Sequence, residues 1–530
     1  MGYLIIILVG FLLYFKTLFF DFTYLDDNVL ILDNFYFIKN LANILAAFAH
    51  DAFLNTQATA YYRPLLTISF ILNSQLSGTS AWGYHLVNVL LHLGASCLVF
   101  AFLKRLKYPC DQALFLTLIF TVHPVLTQAV AWIPGRNDSL LAIFVLSSFI
   151  FLFKFFEKSQ TKDYFYHLLL FGLAILTKES ALVIPMLALL YLWLMKKERI
   201  ITPRLLLLFL GWLIILFFWF ILRSFGLKNP LDYGFADVVS SVVRNLPATI
   251  QFLGKIVFPL NLTVLPTLKE TTFSYGLFAL LLLTILIFLT KDKQLNRLLI
   301  GFSWFLLFSI PNLIQLEASF SLYEHRIYLS LIGFLIVLAE TKPLKIFSAK
   351  NKLHLLLALT IILILSSITF RQSEKFKNRM IFWQEAVTRS PSHPLAHRNL
   401  GVMYFLAGLT DKAEEEYKKS LALNPQEPMA HNNLGVIYLE KKLFAQAEEE
   451  FKKELAINPL YDRAYFNLGL VYYQQGNLNQ AEKFWLKTIE INPNYLQAYE
   501  NLVLLYQQKN DPFKANFYLK LIKQKFASLD

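Results

Sequence analysis

The stretch NPQEPMAHNNLGVIYLEKKLFAQAEEEFKKELAINP, residues 424–459, decides how the carboxy-terminal part of this chain folds. It begins and ends on Asn-Pro, and its internal marks recur in phase on either side. Asn424-Pro425, Asn458-Pro459 and Asn492-Pro493 lie 34 residues apart. Leu400-Gly401, Leu434-Gly435 and Leu468-Gly469 keep that period, as do Tyr404, Tyr438, Tyr472 and Tyr506. So do Ala413, Ala447, Ala481 and Ala515, and the aromatic series Trp383, Tyr417, Phe451 and Trp485. Glycine and alanine at fixed positions let two helices approach closely, and the proline ends the second of them.

A 34-residue period with these marks is the tetratricopeptide (TPR) pattern, two helices per unit. We expect a partial repeat at 371–391, repeats at about 392–425, 426–459 and 460–493, and a capping repeat at 494–530 in which Val503 replaces the glycine. Stacked repeats form an α-solenoid whose concave face takes a protein or extended peptide. Its alternative role is to stabilise or oligomerise the rest of the molecule. Nothing in the repeats points to catalysis.

Upstream the sequence changes character. Over the 530 residues, 56% are hydrophobic and 16% charged, and the apolar excess is concentrated in residues 1–370. Long apolar runs there, several near 18 residues, suit a polytopic bundle of roughly 11 transmembrane helices. The expected fold is therefore all-α, with a transmembrane domain at 1–370 and a TPR domain at 371–530. The first run lacks a basic leader and a small-residue cleavage site, so it reads as a retained span. Cys97 and Cys110 offer neither a disulfide framework nor a metal site. The net charge of +13 lies largely in short loops between spans, which argues for membrane topology rather than nucleic-acid binding.

Those basic loops alternate with the spans. Lys104, Arg105 and Lys107 form one cluster, and Lys154, Lys158 and Lys162 the next. Lys196, Lys197, Arg199 and Arg204 follow, then Lys291, Lys293 and Arg297, and finally Lys342, Lys345, Lys350 and Lys352. The positive-inside rule places all five in the cytoplasm, together with the amino terminus. Residues 21–83, 127–138, the Lys178-Glu179 turn, 223–274 and 316–326 then lie outside, as does the TPR domain. The stretch 238–260 lies on the outer face or re-enters.

The polar residues hardest to assign to packing fall on that outer side. Asp26 and Asp27 are adjacent carboxylates at a bilayer edge, where desolvation is costly. With them are Tyr62 and Arg63, His85, His123, Trp132, Arg136 and Asp138, Lys178 and Glu179, and Glu324 and Arg326. Convergence of carboxylates, arginines and histidines on one membrane face suggests a site. Solvated loop ends and snorkelling cations are the plainer reading of each residue alone. His85, His92 and His123 show no metal-ligand spacing, so no metal site is expected and a divalent metal is not required.

With these segments in view, the chain resembles GT-C class membrane glycosyltransferases, and most closely the transmembrane-and-TPR protein O-mannosyltransferases. The segments are DFTYLDDNVLILDN (21–34), YYRPLLTISFILN (61–73), GYHLVNVLLH (83–92), HPVLTQAVAWIPGRND (123–138), LTKESALVIP (176–185) and YEHRIYLS (323–330). His325 stands where the family has an aromatic-ERYLY pattern, and the short array points to a bacterial member. The resemblance implies a polyprenyl-phosphate sugar donor used on the non-cytoplasmic face, mannose or a similar hexose. It also implies an acidic base in the first outer loop, hence Asp26 or Asp27, and a protein Ser/Thr hydroxyl or surface glycan as acceptor.

The chemistry fits these residue types. A single carboxylate near the acceptor oxygen serves an inverting displacement, whereas retention uses two carboxyls about 5 Å apart. The phosphate leaving group needs fixed cations, for which Arg63, Arg136, Lys178 and Arg326 are candidates. Tyr62, His85, His123, Trp132, Asp138, Glu179 and Glu324 are expected to support them. The rival readings are a non-catalytic TPR scaffold of an envelope complex and, less well matched, a transporter, whose charges belong near the bilayer midplane.

Overall fold

A computed structural model describes the chain except for residues 55–60, 197–201, 228–233, 315–322 and 527–530. Lys197 and Arg199 of the third basic cluster lie outside the described residues, as do 316–322 of the expected outer loop. The described residues are helical, with no strand among them. They form two compact units, Met1–Glu385 and Ala386–Asp530. The first runs beyond the sequence-based boundary at 370 because Phe376, Phe382 and Trp383 are buried past the last apolar helix.

Among the described residues, six helices are long and apolar enough to cross a bilayer: Gly2–Phe19, Ala81–Arg105, Ile133–Lys158, Glu179–Lys196, Pro203–Gly226 and Lys352–Glu374. A seventh span arises if Cys110–Val122 and Pro124–Ala131 count as one helix, bent by 48° at His123-Pro124. Among the described residues the expected number of about 11 is thus not confirmed. Several apolar runs are too short or broken, such as Ser274–Phe288, Leu295–Ser309 and Tyr328–Ala339. A 15-residue helix rises only about 22 Å, against about 30 Å of hydrocarbon. The stretch 238–260 holds two short helices, Phe235–Asn245 and Ala248–Val257, broken at Leu246-Pro247.

Broken helices matter because their ends carry the polar residues. Pro64 occupies the first turn of Pro64–Ser77, which leaves Arg63 in the extended backbone just before it. Helix Thr161–Thr177 stops at Lys178, whose extended backbone separates it from the turn Glu179–Val183. A second short turn, Glu324–Ile327, precedes the buried helix Tyr328–Ala339.

The second unit is built from helix pairs. They are Pro394–Leu406 with Thr410–Leu423, Ala430–Glu440 with Phe444–Ile457, Asp462–Gln474 with Leu478–Ile491, and Leu496–Gln508 with Pro512–Phe526. Gly401, Gly435 and Gly469 face the rings of Tyr417, Phe451 and Trp485 across each of the first three pairs, where any Cβ would collide. The two series of the 34-residue frame thus meet each other inside each pair.

Candidate functional site

The loop after the first apolar helix is held from several sides. Tyr24 and Asp26 both adopt left-handed backbone, φ +61° and +66°, a conformation that costs a residue with a Cβ. Asp27, fully buried, offsets that cost. Its Oδ2 accepts from the Thr23 backbone N–H at 2.7 Å and from the Thr23 hydroxyl at 3.0 Å, and its Oδ1 accepts from the Asn28 N–H at 3.1 Å. Two indoles fasten the loop backbone. Trp132 Nε1 donates to the Leu25 carbonyl at 2.8 Å, and Trp383 Nε1 donates to the Thr23 carbonyl at 3.0 Å. The Asp21 N–H donates to Lys377 O at 2.9 Å, and the Arg379 guanidinium lies 4.9 Å from the Tyr24 ring centre.

This separates the two acids. Asp27 is engaged at both oxygens by its own loop. The half-buried Asp26 carboxylate accepts no hydrogen bond among the described residues, and its charged neighbours are Arg63 and Arg326. Burial raises its pKa to about 6 against the pull of those two cations. Burial also raises Asp27, opposed by the Thr23 hydrogen bonds.

The cations around Asp26 are themselves organised. Arg63 sends Nε and Nη2 to Glu179 Oε2, both at 3.3 Å, and lies 4.5 Å from the Tyr61 ring centre. With its amide turned to suit its neighbours, Asn137 accepts from Arg63 Nη1 at 3.2 Å and donates to Thr177 O at 2.9 Å. Lys178 Nζ donates to Asp138 Oδ1 at 2.6 Å in a buried pair. Arg326 lies 5.0 Å from the Tyr323 ring centre and forms no ion pair among the described residues, yet its charge reaches Asp26, Arg63, Lys178 and Asp138. Trp132 also packs against His325, ring centres 5.2 Å apart. The structure therefore brings together Asp26, Arg63, Asp138, Lys178, Glu179 and Arg326, from segments that the sequence scatters over three hundred positions.

Other expected site residues are placed elsewhere. Arg136 has no exposed surface. Its Nε donates to Asn88 Oδ1 at 2.8 Å, and its Nη2 donates to Asn73 Oδ1 at 2.9 Å and to Tyr84 O at 2.8 Å. It ties three helices together and lies too deep to meet a phosphate. His123 caps a turn, accepting from the Val125 N–H at 3.2 Å while Nε2 bonds Ile256 O at 2.9 Å. Tyr62 is buried and donates to Phe48 O at 3.0 Å. Glu324 is buried against Lys255, 2.9 Å away, and also accepts from the Thr263 N–H at 3.0 Å. His85 is buried against Phe20, and His92 bridges Tyr328 and Thr121 O. Among the described residues no three His, Cys, Asp or Glu side chains converge as metal ligands.

Sequence reasoning missed Lys255, Arg379 and the second role of Trp383. Lys255 sat in a segment read as lying on the outer face or re-entering, with nothing to pair it with Glu324. Trp383 falls in phase with the repeat aromatics, and that periodicity concealed its bond to Thr23.

Residues 64–222 match the family profile "Dolichyl-phosphate-mannose-protein mannosyltransferase", and 401–442, 430–459 and 462–495 match TPR profiles. Protein O-mannosyl-transferase F38B6.6 of Caenorhabditis elegans is 30% identical over 379 residues, 68% of this chain and 54% of that protein. Over these stretches the chain is similar to protein O-mannosyl-transferases. It spans about half the length of that C. elegans protein, and 11% of human protein O-mannosyl-transferase TMTC2, to which it is 44% identical over 89 residues. The repeats are also similar to a crystal structure of MamA, 27% identical over 30% of this chain and 95% of that one, TM-score 0.27.

The mannosyltransferase profile match covers Asp138, Lys178 and Glu179. It begins one residue after Arg63 and includes neither Asp26 nor Arg326. The site geometry therefore joins residues inside the matched stretch to residues on both sides of it. The chain is a multi-pass membrane protein with a TPR protein-interaction module.

Proposed function

We propose that this chain is a membrane glycosyltransferase. It transfers a hexose, mannose by kinship, from a polyprenyl-phosphate carrier to a Ser or Thr hydroxyl of a protein on the non-cytoplasmic face. A hydroxyl of a surface glycan has the same chemistry and is the alternative acceptor. The carrying observation is the Asp26 carboxylate, without a hydrogen bond among the described residues and beside Arg63 and Arg326, while Asp27 is engaged by its own loop.

Asp26 takes the acceptor hydroxyl proton as that oxygen bonds to the anomeric carbon. The bond from that carbon to the carrier phosphate breaks, and its electron pair leaves on the phosphate. A single displacement inverts the anomeric centre. Arg326, with no ion pair among the described residues, and Arg63 and Lys178, each leaning on a carboxylate, meet the developing phosphate charge. A base raised to about 6 is ionised at neutral pH yet still basic enough to accept a proton. The convergence of these groups supports an enzyme over a scaffold. Basic-loop alternation supports the orientation, with the amino terminus cytoplasmic and the TPR unit outside.

The test is transfer from radiolabelled polyprenyl-phosphate mannose in membranes carrying each variant. Asp26→Asn is expected to lower kcat/KM by about 100-fold or more at unchanged protein level. Asp27→Asn places an amide among loop N–H donors and is expected to act mainly by loosening the loop. Full transfer by Asp26→Asn would overturn the assignment of the base, and full transfer by both single variants would overturn the reading as an enzyme at this loop.

A further inference from the structure

The helix Phe235–Asn245, with Leu246 continuing its last turn, divides its surface among three surroundings. At about 100° per residue, Phe235, Leu246, Val239, Val243 and Ala236 share one arc of about 100°. Ser240, Arg244 and Asp237 occupy the next arc, and Ser241 and Asn245 the one after. The half-buried Val238 and Val242 close the circle. Within the helix only Ser241 and Asn245 are buried. The Ser241 hydroxyl donates to Leu313 O at 3.3 Å, and Asn245 Nδ2 donates to the same oxygen at 2.9 Å. The helix thus meets its own protein through polar side chains and leaves its apolar arc open. Phe235 is 85% exposed, Val239 43%, Val243 65% and Leu246 51%. A helix surrounded by water and protein would bury that arc instead.

Two features say what covers it. The helix follows the span Pro203–Gly226, whose Phe217, Phe218, Phe220 and Phe225 are themselves exposed, so the open arc continues a lipid-facing surface. With 11 residues it rises only about 16 Å, about half the hydrocarbon thickness, so it can lie along a leaflet but not cross it. A helix with one apolar and one polar flank rests in the plane of the membrane interface. Asp237 and Arg244 put one charge of each sign on the polar flank, which suits a zwitterionic lipid surface rather than an acidic one.

We propose that Phe235–Asn245 lies in the boundary of the outer leaflet, its apolar arc among acyl chains, and ties that leaflet to Arg326. The tie is short. Leu313, which accepts both helix bonds, follows Asn312, whose Nδ2 donates to Phe308 O and to Arg326 O, each at 2.9 Å. Asn312 is thereby a positioning residue for Arg326. A lipid-borne phosphate sits at headgroup depth, and a cation referenced to the same leaflet is held at that depth. The tie gains its use from the glycosyltransferase reading; the seat of the helix in lipid does not depend on it.

Spin labelling of the full-length protein in phosphatidylcholine nanodiscs tests the seat. In a Cys97→Ser, Cys110→Ser background, single labels are placed through Val239→Cys, Ser240→Cys, Val243→Cys and Arg244→Cys. Collisions with oxygen, which concentrates among acyl chains, should dominate at 239 and 243. Collisions with a water-soluble nickel chelate should dominate at 240 and 244. Chelate access at all four positions overturns the seat, as does exclusion of both reagents from 239 and 243, the sign of a protein covering the arc. Hydrogen exchange in the same nanodiscs tests the tie. Val239→Asp with Val243→Asp should speed exchange at 235–245 and at 324–327. Asn312→Ala should speed 324–327 by about fivefold, the loss of one hydrogen bond, and leave 235–245 as in the parent. Unchanged exchange at 324–327 in either variant, or a rise spread over the whole transmembrane unit, overturns the tie. Neither measurement involves sugar transfer, so a failed transfer assay leaves both results standing, and their failure leaves the assignment of the base untouched.

Discussion

Asp26 and Asp27 differ by one position and by almost everything that matters to a proton. The left-handed turn at Asp26 directs neighbouring side chains to different surroundings, and only the structure assigns Asp27 to Thr23 and Asn28. On this basis the pH profile of kcat/KM should rise through a limb near pH 6 as Asp26 ionises. Arg326 holds that value down, so Arg326→Gln should move the limb to higher pH, apart from any loss of phosphate binding. The stability sign is opposite to that of a paired carboxylate. A folded pKa above the unfolded value of about 3.9 means that folding grows less favourable as pH rises from about 4 through 6. Asp26→Asn should therefore melt no lower than the parent at pH 7.5 in a detergent-solubilised thermal scan. A drop of several degrees would mean that the charged form is a structural partner.

At the scale of elements, the loop 21–27 is only as well placed as the indoles that hold it. Trp383→Phe keeps a large buried ring and removes the N–H that meets the Thr23 carbonyl. We expect kcat to fall about tenfold with little change in KM, since a net hydrogen bond is worth about 1 kcal/mol and the base loses alignment as well. The pH limb should also drift down toward the ordinary Asp range as Asp26 gains water. A purely structural role for Trp383 would lower the amount of folded protein and leave the limb in place. The same scale shows why the sequence yielded helices more readily than spans. Apolar runs are visible along the chain, but helix length is set by Pro124, Pro247 and Pro311, which cut runs that composition alone counts as whole. Arg136 was misread for a related reason. Gly135 and Pro134 mark a loop in sequence, whereas the structure turns there and buries the guanidinium among Asn73, Asn88 and the Tyr84 carbonyl.

At the scale of the whole molecule, periodicity made the repeats legible to the residue, and no comparable regularity links Asp26 to Arg63, Lys178 and Arg326. Their meeting depends on where helices break in three dimensions, which the loop-charge pattern only hinted at. The repeats also carry a graded feature of their own. His397 Nδ1 lies 2.6 Å from Glu416 with Nε2 2.9 Å from Pro391 O, and His431 Nδ1 lies 2.5 Å from Glu450 with Nε2 3.0 Å from Pro425 O. Both nitrogens of each ring face acceptors, and at His431 that arrangement favours the imidazolium. One and two repeats later the same position is Tyr465 and Tyr499, whose hydroxyls donate to Pro459 O and Pro493 O. Burial works against the charged His431, but Glu450 and the Pro425 carbonyl outweigh it and the pKa rises; Lys453 and Glu454 are the other charges nearby. A raised histidine contributes stability that is complete below its unfolded pKa of about 6.5 and is lost as pH climbs through the folded value. Hydrogen exchange of the full-length protein, corrected for intrinsic rate, should show 426–459 losing protection as pH climbs above about 6.5 while 460–526 holds. His431→Tyr with Glu450→Phe, which copies the third repeat, should remove the change around that pair. Uniform behaviour of all four repeats would count against it.

The bond between Trp383 and the Thr23 carbonyl joins residues 360 positions apart, and that separation is also an interval of time. A ribosome adding about 5–20 residues per second makes Trp383 roughly 20–70 s after Thr23. Throughout that interval the acid-bearing loop exists without the indole that fastens it. The chain is thus born with the Asp26 loop untethered, and the tether arrives with the segment that leads into the repeats. A nascent chain interrupted before Trp383 would carry every cation and carboxylate of the centre and still lack the fastening that sets their order.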